Sequence, residues 1–591
     1  LTGIPEEVLE EPLRVTRNAN ILPTPEVVSK IFQDKWQKRH FLKHVLDSKT
    51  AQAHLEGYIH IHDLDYALTR SNCCQHDCRW VLKYGLYAQN PIGRLTCVSK
   101  PAKHSEVAVL HILKWLMTSQ NFFAGGQGQD FVNFLVAPYI AEEGLSYEEV
   151  RQLAQIMMFE ATQDLVARGG QPAFTNVNLE LSCPDFLEDE PAVGPGGKIV
   201  GTYGDFEEEA IMFARALLDV QLEGDAAGAP LKFPQIIVKV RPGYDRETLE
   251  LAFEVAAENG AVYFANMLNR DWRKLVGENV NYMGCRTCLA TNWTGDWKID
   301  TIRTGNFEYI TLNLPLLAHE SRDEDEFLEK ISDYCEIARE ALLARWRCVK
   351  KCLEAGLYDG CQRWKPDGEY YFRYEHTTWS LGFVGLAEAI EVLTGYGFWE
   401  DHSAMRLAER VLEELNDVRE EFHERDGRRW SVVQSPAESA AERLARKYLE
   451  KYPDARVRGT ERRPYLTNSC HVPYDEDVNV VERAEIEARF HPMTLGGHIT
   501  HFWLGERTDP KSLMKLTVRV LRRNTIGFLA ITRDYSVCDR CQRTYEGVVE
   551  QCPECGRKCT IWSRVTGYLA PVDSFVDGKK QEHKERLRHE L

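Results

Sequence analysis

Two pairs of cysteines at metal-knuckle spacing, Cys538-x-x-Cys541 and Cys552-x-x-Cys555, are the sharpest chemical signal in this chain. Four thiolates so spaced can surround Zn²⁺ tetrahedrally, and four protein ligands make a closed, structural site. The competing reading, two redox dithiols, fits doubled ribbon spacing less well, and Cys559 is left over. Just downstream, Arg564-Val565-Thr566-Gly567-Tyr568-Leu569 holds a glycine that spacing alone reads as a turn residue at positive φ. Asn72-Cys73-Cys74 places two thiols on adjacent residues, so an extended strand turns at most one of them inward. His60 and His62 share a strand face by the same alternation. With no third ligand in view, that pair suits hydrogen bonding to a substrate or to the wall better than metal binding. Gly284-Cys285 couples a tight-turn residue to a thiol that, taken alone, is more often a small buried apolar group.

Ser435-Pro436-Ala437-Glu438 has the form of a capping box with proline at N1, opening a helix whose apolar face includes Ala440 and Leu444. It reads either as a well-capped helix and no more, or as a helix start whose free N–H groups and dipole attract a phosphate. Thr467-Asn468-Ser469 could add hydroxyl and amide donors to the same diphosphate or triphosphate.

Elements must position these groups. Apolar residues recur at three- and four-residue spacing over 323–355, with similar patterns over 147–167, 206–221 and 402–424, and these predict amphipathic helices. Short strand-like pieces, 58–61 and 235–240, lie between Gly and Pro, so helices alternate with strands and the class is α/β. At 591 residues the chain allows several domains or one large barrel with appendages. No apolar run reaches the ~20 residues of a membrane-spanning helix. A net charge of −18 opposes general attraction to nucleic acid or anionic lipid. Seventeen cysteines, an odd number at low density, with no visible signal peptide, point to a reducing cytoplasm. The chain begins at Leu1 and not Met, which leaves an upstream segment open. A charged tail, 579–591, is expected to be frayed.

Arg-Val-x-Gly-Tyr near a C-terminus, directly after a zinc ribbon, resembles the glycyl radical loop of anaerobic, class III ribonucleotide reductases. The resemblance spreads over almost the whole chain in family order. It runs through the 54–65 block containing His60-Ile61-His62-Asp63, Asn72-Cys73, Ala167-Arg168-Gly169-Gly170-Gln171-Pro172 and Tyr282-Met283-Gly284-Cys285-Arg286. It continues through Asn313-Leu314-Pro315, Gly382-Phe383-Val384-Gly385-Leu386, Ser435-Pro436-Ala437-Glu438-Ser439 and Thr467-Asn468-Ser469. It implies a ten-stranded α/β barrel, two five-stranded parallel halves set antiparallel around a central finger loop, over 1–530. The zinc ribbon would follow over 531–560, and the radical loop and tail over 561–591.

By the same resemblance, Gly567 carries the radical and Cys285, at the finger tip, relays it as a thiyl that removes the ribose 3′-hydrogen. Cys73 protonates the departing 2′-hydroxyl and supplies reducing equivalents, with Asn72 and His62 on the substrate. Ser435, Glu438, Thr467, Asn468 and Ser469 bind its phosphates. Asn306 resembles the polar residue of formate-using members; against formate, 556–566 holds no Met. Extra thiols at Cys74, Cys288 and Cys559 point instead to a thioredoxin-like redoxin, with Cys288 or Cys559 on mobile loops as the partner of Cys73. The resemblance further implies a radical-SAM activating enzyme bearing an iron–sulfur cluster and S-adenosylmethionine, ATP and dNTP effectors, and a homodimer. Two rivals stand beside this reading: a glycyl radical lyase acting on a small acid, and a non-catalytic zinc-ribbon protein that binds nucleic acid.

Overall fold

The computed structural model describes residues 24–86, 97–164, 170–358 and 369–590. Ala167, Arg168 and Gly169 of one motif therefore lie outside the described residues. Seventeen strands matter for the site. They are β1 (Ile59–Ile61), β2 (Cys74–His76), β3 (Gln127–Gln129), β4 (Thr175–Glu180), β5 (Gln235–Val240), β6 (Val262–Asn266), β7 (Val280–Met283), β8 (Thr287–Ala290) and β9 (Thr304–Asn313). The remainder are β10 (Thr378–Val384), β11 (Arg429–Gln434), β12 (Thr500–Leu504), β13 (Phe528–Arg533), β14 (Tyr535–Cys538), β15 (Arg543–Glu546), β16 (Thr560–Arg564) and β17 (Leu569–Pro571).

Ten of these form one sheet in the order β11-β10-β9-β2-β3-β4-β5-β6-β13-β12. Strands β2 to β6 are mutually parallel, and they meet the rest antiparallel at β2–β9 and β6–β13. A parallel bridge between Val433 and Gly497 carries β11 back to the approach of β12. The result is the α/β barrel of two opposed five-stranded halves that the resemblance implied. Parallel strands need crossover helices that cover their outer faces, and the amphipathic stretches supply them. Helix α1 is Pro25–His40, α2 is Tyr147–Gln163, α3 Glu207–Glu223, α4 Glu324–Glu354 and α5 His402–Asp426. Asp323 caps α4, and Ser146 with Glu149 closes a capping box on α2. No helix among the described residues is long and apolar enough to cross a membrane.

Strands β7 and β8 form an antiparallel hairpin, the finger, inside the barrel. Gly284 takes φ +58° at its tip, a left-handed conformation that glycine adopts without cost. Asn176 and Asn178, two apart on β4 and so on one face, both donate to the Tyr282 carbonyl, at 2.9 and 3.2 Å, and Gly284 N donates back to Asn176 Oδ1. At the finger's base the fully buried Lys239 ammonium meets Asp130 at 2.6 Å and Glu180 at 3.2 Å and donates to Asn279 Oδ1. Charges so buried demand partners of this kind, and here the partners tie the hairpin to three barrel segments.

Strands β15, β14, β16 and β17 form a second sheet, so the ribbon and the Gly567 hairpin are one continuous structure. Two sequence expectations fail here. The tail is not frayed: helix α7 (Asp577–Glu585) buries Lys579 and Glu582, which are paired with one another, and Arg586 donates to the carbonyls of Arg564 and Val565. A run of charges reads as solvated from composition, but these charges are matched within the helix. Nor does Ser435 cap a helix. Helix α6 starts at Ser439, is preceded by Glu438 without a side-chain cap and ends at Lys451, while the Ser435 hydroxyl pairs with Thr311 at 2.6 Å. Asn468 takes the Ala437 N–H instead, holding 435–438 out of helical form.

Candidate active site

A cavity of about 1050 Å³ opens onto the finger tip, and Cys73 and Cys285 are the two cysteines that line it. Cys73 directly precedes β2 and faces inward, whereas Cys74 is fully buried with its sulfur toward His76, as strand alternation requires. The Cys73 thiol donates to Asn72 Oδ1 at 3.3 Å and accepts the Gly126 N–H at 3.2 Å. Gly125 and Gly126 are glycine for reasons of space. A Cβ on Gly125 would lie 2.6 Å from Cys73 Sγ, and one on Gly126 would lie 2.8 Å from the Gly284 Cα. Two bare backbones thus bring the finger tip against Cys73. Burial pushes both the Cys73 and the Cys285 thiols up to about 12. At neutral pH each keeps its S–H, the form that gives and takes hydrogen atoms.

Gly567 sits on the hairpin between β16 and β17, on the far side of Cys285. It does lie in the turn, but its φ is outside the left-handed range, so the expected positive φ is corrected. What requires glycine is contact: a Cβ would meet the Cys285 carbonyl oxygen at 2.5 Å and its Cβ at 2.8 Å. Tyr568 donates to Glu438 at 2.7 Å, so a residue expected on substrate also anchors this loop.

His60 and His62 line the cavity, their rings 4.5 Å apart. His62 pairs with Thr311 at 2.7 Å, and burial lowers its pKa to about 3, which keeps it neutral. Asn72 and Glu438 also line it. Ser435, Thr467, Asn468 and Ser469 do not. Thr467 donates to Glu388 at 2.6 Å, and Ser469 donates to the carbonyls of Phe383 and Ser435. They form a layer beneath the start of α6. Asn306 is buried on β9, its amide donating to Thr378 and Ser380, and it is not on the cavity wall. Neither expected partner thiol faces Cys73. Cys288 is on strand β8, packed with Tyr282 and Phe528 on the opposite face from Leu289, which clusters with Met283 and Cys73. Cys559 is buried among the ribbon sulfurs. Both were expected on mobile loops; both are held in packed structure.

Two features escaped the sequence reading. Arg443, Arg446 and Lys447 of α6 line the cavity, and their three- and four-residue spacing after the Ser435 motif was a usable sign of a basic face. Glu308 accepts from Asn72 Nδ2 at 2.9 Å and pairs with buried Arg345 at 2.6 Å; burial raises its pKa to about 7. A single Glu in a strand gives no such signal.

In the ribbon, Cys538, Cys541, Cys552 and Cys555 hold their sulfurs within 4.8 Å of one another, with pairs at 3.6 and 3.8 Å. Zn–S bonds of ~2.3 Å in a tetrahedron separate sulfurs by about 3.8 Å, so the donor set fits zinc.

The sequence profile of the anaerobic ribonucleoside-triphosphate reductases matches residues 17–589. The enzyme of that name from Enterobacteria phage T4 is 26% identical, with 93% of each chain covered. A solved anaerobic ribonucleotide reductase superimposes with a TM-score of 0.77 at 18% identity, over 95% of this chain and 89% of that one. The Thermotoga maritima anaerobic ribonucleotide reductase, solved in complex with dATP and CTP, gives 0.71 at 19% identity over 95% and 90%. The profile match takes in the finger, the ribbon and every residue that lines the cavity, and the chain therefore belongs to the anaerobic ribonucleoside-triphosphate reductase family, whose members are oxidoreductases.

Proposed function

We propose that this chain reduces ribonucleoside triphosphates through a radical stored on Gly567 and relayed by Cys285. The observation that carries this is the packing of Gly567 directly on Cys285, which also lines the cavity that holds Cys73. Cys285 gives its sulfur-bound hydrogen to the Gly567 α-carbon, and its sulfur then removes the 3′-hydrogen of a ribose lying in the cavity. Cys73, whose S–H is held by Asn72 and Gly126, protonates the 2′-hydroxyl as it leaves as water. His62, neutral, and Asn72 orient the sugar. The basic face of α6, Arg443, Arg446 and Lys447, receives the phosphates, with Glu438 at its start and the layer of Ser435, Thr467, Asn468 and Ser469 fixing that start from beneath.

Two electrons complete the reaction. Among the described residues no cysteine besides Cys285 lines the cavity with Cys73, which supports formate, a donor small enough to enter, over a redoxin that needs a resolving thiol beside Cys73. Formate leaves as CO₂, and the two electrons with two protons yield deoxynucleotide and water. Asn306 then acts from behind the wall: its main-chain N–H donates to the Cys73 carbonyl at 3.0 Å, and its side-chain amide holds that stretch of β9 to Thr378 and Ser380. Zn²⁺ held by the four ribbon cysteines braces the Gly567 hairpin. A radical-SAM activating enzyme generates the radical, nucleotide effectors bind away from this cavity, and the chain works as a homodimer in the cytoplasm.

Anaerobic activation followed by electron paramagnetic resonance should show a doublet that Gly567→Ala abolishes. Turnover of ribonucleotide with carbon-labelled formate and no dithiol should give deoxynucleotide and labelled CO₂ in equal amounts. A doublet that survives in the alanine variant, or no turnover without a dithiol, would overturn the respective half of the reading.

A further inference from the structure

The carbonyl oxygen of Gly567 accepts two hydrogen bonds from the barrel wall. One comes from the Tyr263 hydroxyl, the other from Gln235 Nε2 at 3.3 Å, and Gln235 also donates to the Tyr263 hydroxyl at 3.1 Å. The two residues stand on neighbouring parallel strands, β5 and β6, where Tyr263 is opposite Ile237, two residues along from Gln235 on the same face. Tyr263 is buried, and its ring is clamped. Phe528 lies parallel to it at 5.5 Å, and the Arg564 guanidinium covers it at 3.9 Å from the ring centre. The hydroxyl direction is thereby fixed before any radical exists.

An α-carbon radical in a peptide is stabilised from two sides: the amide nitrogen donates density and the carbonyl withdraws it, so part of the spin resides on the carbonyl oxygen. A donor aimed at that oxygen strengthens the withdrawing arm. Donors set in place within a dry site act without reorganisation when the electronic change occurs, and so act strongly. We propose that Tyr263, assisted by Gln235, is a positioning residue for the radical: it draws spin onto the Gly567 carbonyl oxygen and fixes the peptide plane so that the α-carbon faces Cys285. This rests on the assignment of the radical to Gly567. In the exchange itself the Cys285 S–H bond breaks and the Gly567 Cα–H bond forms, or the reverse. The Tyr263 O–H and Gln235 N–H bonds stay intact throughout, so neither residue is oxidised.

The test uses the full chain, activated anaerobically in H₂O and in D₂O and measured by electron–nuclear double resonance. The wild type should show coupling to an exchangeable proton that disappears in D₂O. Tyr263→Phe, which keeps the ring stacked on Phe528, should retain a glycyl doublet, lose the strong exchangeable coupling and widen the α-proton splitting as spin returns to carbon. Gln235→Leu should move both in the same direction by less. An exchangeable coupling absent from the wild type, or unchanged in Tyr263→Phe, would overturn the proposal even though the doublet itself is present. A tyrosyl signal in the wild type would overturn it as well, because the O–H bond would then be broken. A doublet that never appears, or that survives in Gly567→Ala, marks failure of the glycine assignment and brings this inference down with it.

Discussion

Cys73 and Cys285 both open on the cavity with protonated thiols, yet they are not interchangeable, because only Cys285 touches Gly567. Cys285→Ser should keep the glycyl doublet and lose every substrate reaction, since a serine O–H bond is too strong to enter the relay. Cys73→Ser should still exchange the 3′-hydrogen with solvent while forming no deoxynucleotide; tritium release measured beside product separates the two. Glu308 makes a prediction of another kind. Glu308→Gln keeps an acceptor for Asn72 and copies the neutral carboxyl, whereas Glu308→Ala leaves the buried Arg345 guanidinium without this partner, and such losses cost about 3–5 kcal/mol. Denaturant unfolding of the alanine variant reads this directly. Because burial raises the Glu308 pKa to about 7, above its unfolded value, the folded chain holds an extra proton between those limits. Stability from this group is therefore greatest below the unfolded pKa and falls as pH rises toward 7, a slope that Glu308→Gln should flatten. At this scale the sequence was most legible where chemistry is written in spacing: the four ribbon cysteines, and the adjacency of Cys73 and Cys74, which allows at most one of them to face inward. It was least legible where a residue is defined by what the fold brings to it. Glu308, Tyr263 and Gln235 have no local mark, and Asn306 took its expected importance from a motif although its side chain points into the wall.

The finger is the element on which the site depends, and its tip approaches Cys73 only because Gly126 presents no side chain. Gly126→Ala places a methyl 2.8 Å from the Gly284 backbone, which cannot yield as a flexible side chain would. Displacement of the tip by about 1 Å is expected to lower turnover roughly 100-fold, with the Gly567 doublet intact; comparing radical yield with product yield distinguishes this from loss of activation. The long amphipathic helices and strand β5 were readable from periodicity to within a few residues. The start of α6 was not, because Ser435-Pro436-Ala437-Glu438 satisfies the pattern of a cap while Thr311 and Asn468, distant in sequence, claim its hydrogen bonds.

Across the whole molecule the ribbon and the glycine hairpin share one sheet, β14 pairing with both β15 and β16. Metal removal is thus expected to act at a distance. Chelation, or Cys552→Ala, should abolish the glycyl doublet while the far-ultraviolet circular dichroism of the barrel is retained. The charged tail, which composition marks as loose, is part of the same closure through Arg586. The barrel's closure was legible only through family resemblance: no pattern within β11 or β12 announces the Val433–Gly497 bridge that brings them together.

The burial of Gly567 also divides the enzyme's life into two clocks. Cys285 closes the hairpin at its tip, Glu438 holds Tyr568 and Arg586 holds the backbone of Val565, so the α-carbon offers no approach to a second protein in this arrangement. If, as proposed, an activating enzyme places the radical on Gly567, it must meet the α-carbon during an excursion that unmakes those contacts, whereas the proposed catalysis proceeds with the contacts made. Oxygen damage should therefore accumulate with the hours the hairpin spends withdrawn and be indifferent to how many nucleotides have been reduced. Chain cleavage at Gly567, followed after brief air exposure of activated enzyme either idle or turning over, should run at the same rate in both and faster in Arg586→Ala.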